Sequence, residues 1–246
     1  MALKGIFVAP FDELSDPRVL ASLAERTEAA GWDGFFLWDH IAYAPPVQAV
    51  ADPWVAMAGI AAATSRVKIG ALVTPIPRRR VHKLARECAT LDILSGGRLI
   101  FGGGIGGDQG GEFSRFGEEM DLKARGAMLD EGLEKLQSYW SGELLPKPAS
   151  KIPIWLAARW PNKKPVRRAA RFDGVFPIDM ESPEQLAEMV AWVQEERGEL
   201  YGFEVVVTNP AGTDPNPWED AGATWCLTGF GNQPTEAEVI AAIERG

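Results

Sequence analysis

Eight short apolar runs, separated by segments of helical length, constrain this chain more than any other feature of its sequence. They fall at residues 3–9, 34–38, 67–73, 98–102, 152–157, 174–178, 203–208 and 224–228. Most are apolar at consecutive positions rather than at alternate ones. A strand wet on one face alternates, whereas a strand covered on both faces does not, so these runs read as a parallel sheet lying beneath helices. Strand and helix patterns alternate along the whole 246 residues, which predicts an α/β fold, a (β/α)8 barrel formed as a single domain over residues 1–246.

The intervening segments carry helix signals. Asp16-Pro17 and Asp52-Pro53 each place a capping carboxylate before a proline suited to the first turn. Ser182 with Gln185, and Thr235 with Glu238, have the spacing of capping boxes. A third helix is expected to bury Val81, Leu84, Ala85, Cys88, Leu91 and Leu94 and to stop at Gly96-Gly97. A fourth, over 122–140, is expected to bury Met128, Leu129, Leu133, Leu136 and Trp140. Two connections read as trimmed. Residues 141–151, before the fifth strand, show no helical pattern, and residues 209–223 contain Asp214-Pro215-Asn216-Pro217, which leaves room for about one turn where helix seven belongs.

A formal charge of −9 argues against a nucleic-acid partner, since phosphate binding needs a sustained basic surface, and leaves a small-molecule substrate as the expected partner. No window approaches the roughly 18 apolar residues of a membrane helix, and no basic leader precedes 6–9, so a cytoplasmic location is expected. Cys88 and Cys226 fit no metal spacing and read as reduced packing residues; no metal is expected. The helix over 53–64, apolar almost all round, predicts burial against a second copy of the chain, a homodimer.

Several ordered segments carry a resemblance. They are 30–34 leading to Trp38-Asp39-His40, Asp52-Pro53-Trp54, 61–70, Thr74-Pro75-Ile76-Pro77-Arg78, 90–98 running into the glycines of 102–107, Glu112-Phe113, Trp140-Ser141-Gly142-Glu143, Ile152-Pro153-Ile154-Trp155 and 168–177. In order and separation these resemble the luciferase-like monooxygenases and their deazaflavin-dependent relatives. The resemblance implies a flavin-type oxidoreductase, taking coenzyme F-420 or, alternatively, flavin mononucleotide (FMN). A flavin-binding protein without turnover is a further alternative. The stretch 38–41 and the run 74–78 look more like the F-420 branch. Relatives usually carry longer segments where this chain is trimmed, which implies a site without a full substrate lid.

In such barrels the working residues stand where strands end. His40 and Asp39 are therefore the candidate catalytic residues, since an imidazole titrates near neutrality and can carry a proton; the alternative is a histidine that bonds only to backbone. For the cofactor, the resemblance implies ring contacts at Thr74, Pro75 and Ile76. Gly102, Gly104, Gly106 and Gly107 lack side chains and would let a planar ligand approach the backbone. Ala157, Ala158, Arg159 and Trp160 precede a helix whose free amides suit a phosphate, among Lys163, Lys164, Arg167, Arg168 and Arg171. Asp108, Glu112 and the run Arg78-Arg79-Arg80 are expected to line the outer pocket.

Overall fold

The computed structural model describes residues 1–246. Its strands are β1 (Leu3–Val8), β2 (Gly34–Leu37), β3 (Lys68–Ala71), β4 (Thr74–Pro75), β5 (Phe101–Gly104), β6 (Ile154–Arg159), β7 (Gly174–Ile178), β8 (Glu204–Pro210) and β9 (Trp225–Gly229). All pair in parallel, in the order β3-β2-β1-β9-β8-β7-β6-β5-β4. A parallel bridge between Ile69 and Leu99 then joins β3 to the start of β5 and closes the ring. The architecture is the expected luciferase-like barrel with its third strand broken in two: β3 stops at Ala71, and the chain pairs again with β5 only at Thr74 and Pro75.

Inside the ring sit Phe7, Phe36, Leu72, Ile100, Trp155, Phe176, Val206, Trp225 and Leu227. A larger core of 46 residues lies between the strands and their helical jacket. Two covered faces explain why the runs lack alternation. The interior is crowded by aromatic rings, so some inward positions cannot carry a side chain: a Cβ on Gly34 would come within 2.5 Å of the Phe36 ring.

The jacket comprises α1 (Pro17–Ala29), α2 (Pro53–Ala63), α3 (Val81–Ser95), α4 (Leu122–Ser138), α5 (Lys163–Ala169), α6 (Pro183–Arg197), α7 (Asn216–Asp220) and α8 (Glu236–Arg245). Asp16 and Asp52 cap α1 and α2 as expected, with proline in the first turn. Thr235 and Glu238 form a full capping box. At α6 only half of the expected box exists: Ser182 accepts from Gln185 N, but the Gln185 side chain accepts from Glu181 N instead of returning to Ser182. Gly96 ends α3 in the left-handed region at φ 68°.

The expected helix faces are one residue too wide in two places. Leu94 and Met128 are 50% and 36% exposed, because each lies at the margin of its helix's inward stripe. In α2 the apolar character is mostly consumed within the chain: Trp54, Ala56, Met57, Ile60 and Ala61 are buried, leaving Val55 and Ala62 as the outward residues. Of the segment 141–151 expected to lack helical structure, residues 141–143 continue α4 as a π-helical turn and 144–153 form no helix or strand, while α7 has five residues, about the one turn expected. No helix is long and apolar enough to cross a membrane.

Glu28, on the last turn of α1, bolts the segment after α2 to the start of β3 by accepting hydrogen bonds from the amides of Ser65, Arg66 and Val67 and from the Ser65 hydroxyl. Partial burial pushes this carboxyl up, but the amides outweigh it and bring the pKa from 4.5 down to about 2. A depressed carboxyl contributes stability that is complete above its unfolded value and is lost as pH falls through its folded one. The urea midpoint of Glu28→Gln should therefore lie below wild type at about pH 6, and the gap should narrow at about pH 2.5. A gap independent of pH would contradict the assignment.

Candidate active site

Strand β2 delivers Trp38, Asp39 and His40 to the C-terminal mouth of the barrel in direct succession, after the last ladder bond from Trp38 N to Val8 O. Alternation sends the side chains of Trp38 and Asp39 in opposite directions. Trp38 packs on Phe7 above the barrel interior, with ring centroids 5.9 Å apart. Asp39 points into the protein, where its side chain is fully buried beside those of Arg78 (3% exposed) and Arg79 (17% exposed). It accepts from Arg78, Arg79, the Thr74 hydroxyl and the Trp54 indole at 2.7–3.1 Å. Burial alone would raise the Asp39 carboxyl, but Arg79 and Arg78, with the Thr74 hydrogen bond, hold it below its ordinary 3.8.

Arg78 continues the network by also donating to Glu112 at 2.7 Å. Glu112, only 1% exposed, accepts from Ile41 N at 2.9 Å and meets His40 Nδ1 at 2.7 Å. A carboxylate on Nδ1 fixes the tautomer: Nδ1 carries the hydrogen, and in the neutral ring Nε2 keeps its lone pair. His40 Nε2 has no protein partner within hydrogen-bonding distance. The imidazole is 20% exposed at its side chain and is walled by Phe11, Trp38 and Tyr43, whose ring centroids lie 5.8, 5.7 and 5.0 Å away. Burial and the nearby Glu112 charge raise the Tyr43 hydroxyl above its ordinary 10.0. Such an arrangement can hold an imidazole in one orientation and present one nitrogen to a ligand at the mouth.

Beside this cluster, on the side of β1, β2, β8 and β9, a cavity of about 600 Å³ opens to solvent and reaches α8. A chain with this barrel and this mouth can be set against known proteins. The sequence model of the family described as luciferase-like monooxygenase matches residues 5–219, most of the chain.

This chain belongs to the luciferase-like monooxygenase family.

Members of that family are oxidoreductases and monooxygenases. Among its curated relatives is the phthiodiolone/phenolphthiodiolone dimycocerosates ketoreductase of Mycobacterium bovis, 24% identical over 94% of this chain and 68% of the relative. Among solved structures, an F420-dependent secondary alcohol dehydrogenase superposes with a TM-score of 0.83 at 18% identity, covering 99% of this chain and 97% of the other. The oxygenating constituent of 3,6-diketocamphane monooxygenase of Pseudomonas putida, bound to FMN, gives 0.70 at 17% identity, covering 85% and 67%. Both likenesses are of fold.

Of the residues singled out in this luciferase-like sequence, the structure joins His40, Asp39 and Thr74 in one network, with Arg78, Arg79 and Glu112 as its buried frame. Thr74 spends its hydroxyl on Asp39 and is fully buried. Pro75 pairs with Gly104, and Ile76 packs outward against Gly132 of α4. The glycines have packing reasons of their own. Gly102 and Gly104 lie within β5, where a Cβ would come 2.3 Å from Ala71 O and 2.7 Å from Val73 Cγ2. Gly106 takes φ 75° between Phe113 and Pro75, and a Cβ on Gly107 would strike the Gln109 side chain.

Ala157 is half-buried beside Gly104, whereas Ala158 faces the outer core and Trp160 stacks on Trp192 at 4.8 Å. Arg159 reaches the mouth but pairs with Asp179, both more than half exposed. The basic residues around α5 disperse: Arg168 and Arg171 bind Asp130 of α4, and Arg167 binds Glu196 of α6. These pairs belong to the jacket, so the local basic excess is largely neutralised there.

Sequence reasoning put Glu112 and Arg78 on the outer rim, yet they lie beneath His40. Nothing in their spacing reveals that, because the contacts span 72 and 34 residues. Asp108 caps the turn at Phe113, and Arg80 is exposed at the start of α3. Tyr43 escaped notice because a single aromatic residue in a proline-rich loop carries no periodic signal.

Proposed function

We propose that the chain is a coenzyme F-420-dependent oxidoreductase in which His40 handles the substrate proton. The carrying observation is the His40–Glu112 pair: a buried carboxylate, anchored by Arg78 and Ile41 N, orients an imidazole whose Nε2 has no protein partner and looks onto the mouth. When bound, a deazaflavin supplies hydride transfer with no need for oxygen. In the direction of alcohol oxidation, the substrate hydroxyl would give its proton to Nε2, leaving an imidazolium beside Glu112, while a deazaflavin held beside Pro75, Gly104 and residues 157–160 would supply the acceptor for the carbinol hydride. The reverse direction returns both. Glu112 stabilises that imidazolium and keeps the ring from turning.

Fit to a planar, phosphate-bearing cofactor rests on the mouth itself. The ring would lie beside Pro75, Gly104 and Ala157, and the phosphate by the backbone of residues 157–160 with Arg159, once Arg159 leaves Asp179. The F420-dependent name of the well-superposing dehydrogenase supports this reading. FMN-dependent oxygenation is the second reading, favoured by the FMN-bound camphane enzyme. Titration of the purified chain with F-420 and with FMN, followed by anaerobic F-420 reduction with a panel of alcohols and sugar phosphates, separates the two. F-420 binding and anaerobic turnover are expected; binding of FMN alone would replace the first reading by the second.

A further inference from the structure

Away from the mouth, a cavity of about 360 Å³ opens on the outer face of the jacket, where α4, α5 and α6 meet. Six of its seven lining residues are charged: Lys164, Arg167 and Arg168 of α5, Arg171 just beyond it, Asp130 of α4 and Glu196 of α6. Jacket helices run back against the strands they follow, so Arg171 and Glu196, where α5 and α6 end, lie towards the end of the barrel opposite the mouth. None of the six belongs to the network around His40.

Lys164, Arg167, Arg168 and Arg171 fall at positions i, i+3, i+4 and i+7, which lines them along one side of a seven-residue helix and the turn after it. Like charges at that spacing repel. Two carboxylates answer these four cations, which leaves two positive charges on the groove of a chain whose own formal charge is −9. The ion pairs also leave donors over. Arg168, only 9% exposed, is held by both oxygens of Asp130 and forms a fixed back wall. Arg167 gives only Nε to Glu196, and Arg171 gives only one Nη to Asp130. The remaining guanidinium N–H groups of these two, and the Lys164 ammonium, have no partner in the protein, and all three side chains are exposed.

From this we propose that the groove between α4, α5 and α6 is an anion site separate from the catalytic mouth, and that it takes a phosphorylated sugar or polyol. A phosphate monoester carries about −2 near pH 7, which matches the excess on the groove. Its oxygens accept from guanidinium forks and from an ammonium, and both kinds of donor line this one cavity. The rest of the ligand is polar. No ring lines the cavity and Ala170 is its one apolar residue, so a nucleobase or an acyl chain finds nothing to lie on. The cavity has room for about twelve waters, more than one phosphate group fills. Glu196 Oε2, which accepts from no side chain or amide of the protein, offers an acceptor to a hydroxyl of the body. Binding here does not depend on which cofactor the mouth takes.

Calorimetric titration of the full chain at low salt, without cofactor, tests the groove. Sorbitol 6-phosphate should bind saturably and at least about five-fold tighter than inorganic phosphate, and sorbitol should not bind. Lys164→Gln and Arg171→Gln should each weaken sorbitol 6-phosphate by about three- to ten-fold, whereas Lys68→Gln, at an exposed lysine that begins β3, should leave it unchanged. Glu196→Gln keeps an acceptor but removes a negative charge and releases Arg167, so it should tighten both phosphates; damage to the fold would only weaken them. Arg159→Gln locates the anion. Unchanged affinity in that variant keeps the anion on the jacket, and a loss there with none in Lys164→Gln and Arg171→Gln would move it to the mouth and overturn the proposal. Absence of saturable binding, or an equal loss in Lys68→Gln and Lys164→Gln, would overturn it as well. Equal affinity for inorganic phosphate and sorbitol 6-phosphate would overturn the sugar or polyol assignment and leave free phosphate as the ligand.

Discussion

Gly102→Val should abolish the folded barrel. Where β3 breaks after Ala71, the backbone of β5 presses directly on it, and a Cβ at Gly102 would stand 2.3 Å from Ala71 O and 2.6 Å from Leu72 Cδ2. The obstacle at Ala71 is main chain and cannot rotate away. Gly70, on the facing segment, is under the same constraint, with Ile100 O 2.4 Å from its absent Cβ. This seam closes the ring through the Ile69–Leu99 bridge. Strain there opens the barrel, and a loss of more than about 4 kcal/mol is expected, read as insoluble protein or a collapsed urea midpoint. Gly59→Ala, within α2, is the control: the nearest atom to its Cβ would be Pro17 O of α1, 3.8 Å away, so it should gain about 0.5–1 kcal/mol from helix propensity. A soluble, cooperative Gly102→Val protein would show that the seam is looser than described.

Asp39→Asn should be the second most damaging change, and its damage should fall on stability before activity. The side chain of Asp39 is fully buried between those of Arg78 and Arg79. Removing its charge leaves Arg78 with Glu112 as its remaining ion-pair partner and Arg79 with none, and breaking such a buried arrangement costs about 3–5 kcal/mol. Arg79 and Arg78 overcome the burial that would raise this carboxyl and hold it below 3.8. Its contribution is therefore complete above the unfolded value and is lost as pH falls below it. Urea midpoints should show a constant gap between wild type and variant from about pH 5 to 8 that narrows below about pH 3.8. Asp39 thus anchors the site from beneath, its side chain fully buried. A variant that kept wild-type stability but lost turnover would contradict that division of labour.

The barrel was legible because its strands are buried on both faces and so wrote themselves as uninterrupted apolar runs, and because proline, glycine and Asp or Ser caps marked the helix ends. The break after Ala71 was not legible. An apolar run from 67 to 73 looks the same whether or not it stays in the ladder, and the same blindness placed the fourth strand at 98–102 when it pairs over Phe101–Gly104. That slip decided how the glycines were read. In a loop they suggested room for a ligand, whereas within β5 they answer to Ala71, Val73 and Leu156.

At the site, His40 stood out by being one of two histidines and by following a strand. Its partner Glu112 lies 72 residues away, and nothing local distinguishes it from a surface acid. The arginine run 78–80 read as lining of the outer pocket, because no sequence rule announces that Asp39 waits beneath Arg78 and Arg79. The charge cluster around α5 shows the converse, since Asp130 and Glu196 arrive from other helices to pair with Arg167, Arg168 and Arg171, which local sequence does not announce.

Single-turnover reduction of F-420, followed by absorbance with wild type and with His40→Asn, tests the central claim most directly. An Asn at position 40 keeps a polar group beside Glu112 but cannot take the substrate proton through Nε2. With the alcohol that wild type uses, the rate should fall by about 10²–10⁴-fold, the usual worth of a positioned general base, while F-420 affinity stays within about two-fold. A wild-type rate in His40→Asn, with F-420 bound, would contradict the assignment of His40 as the proton-handling group.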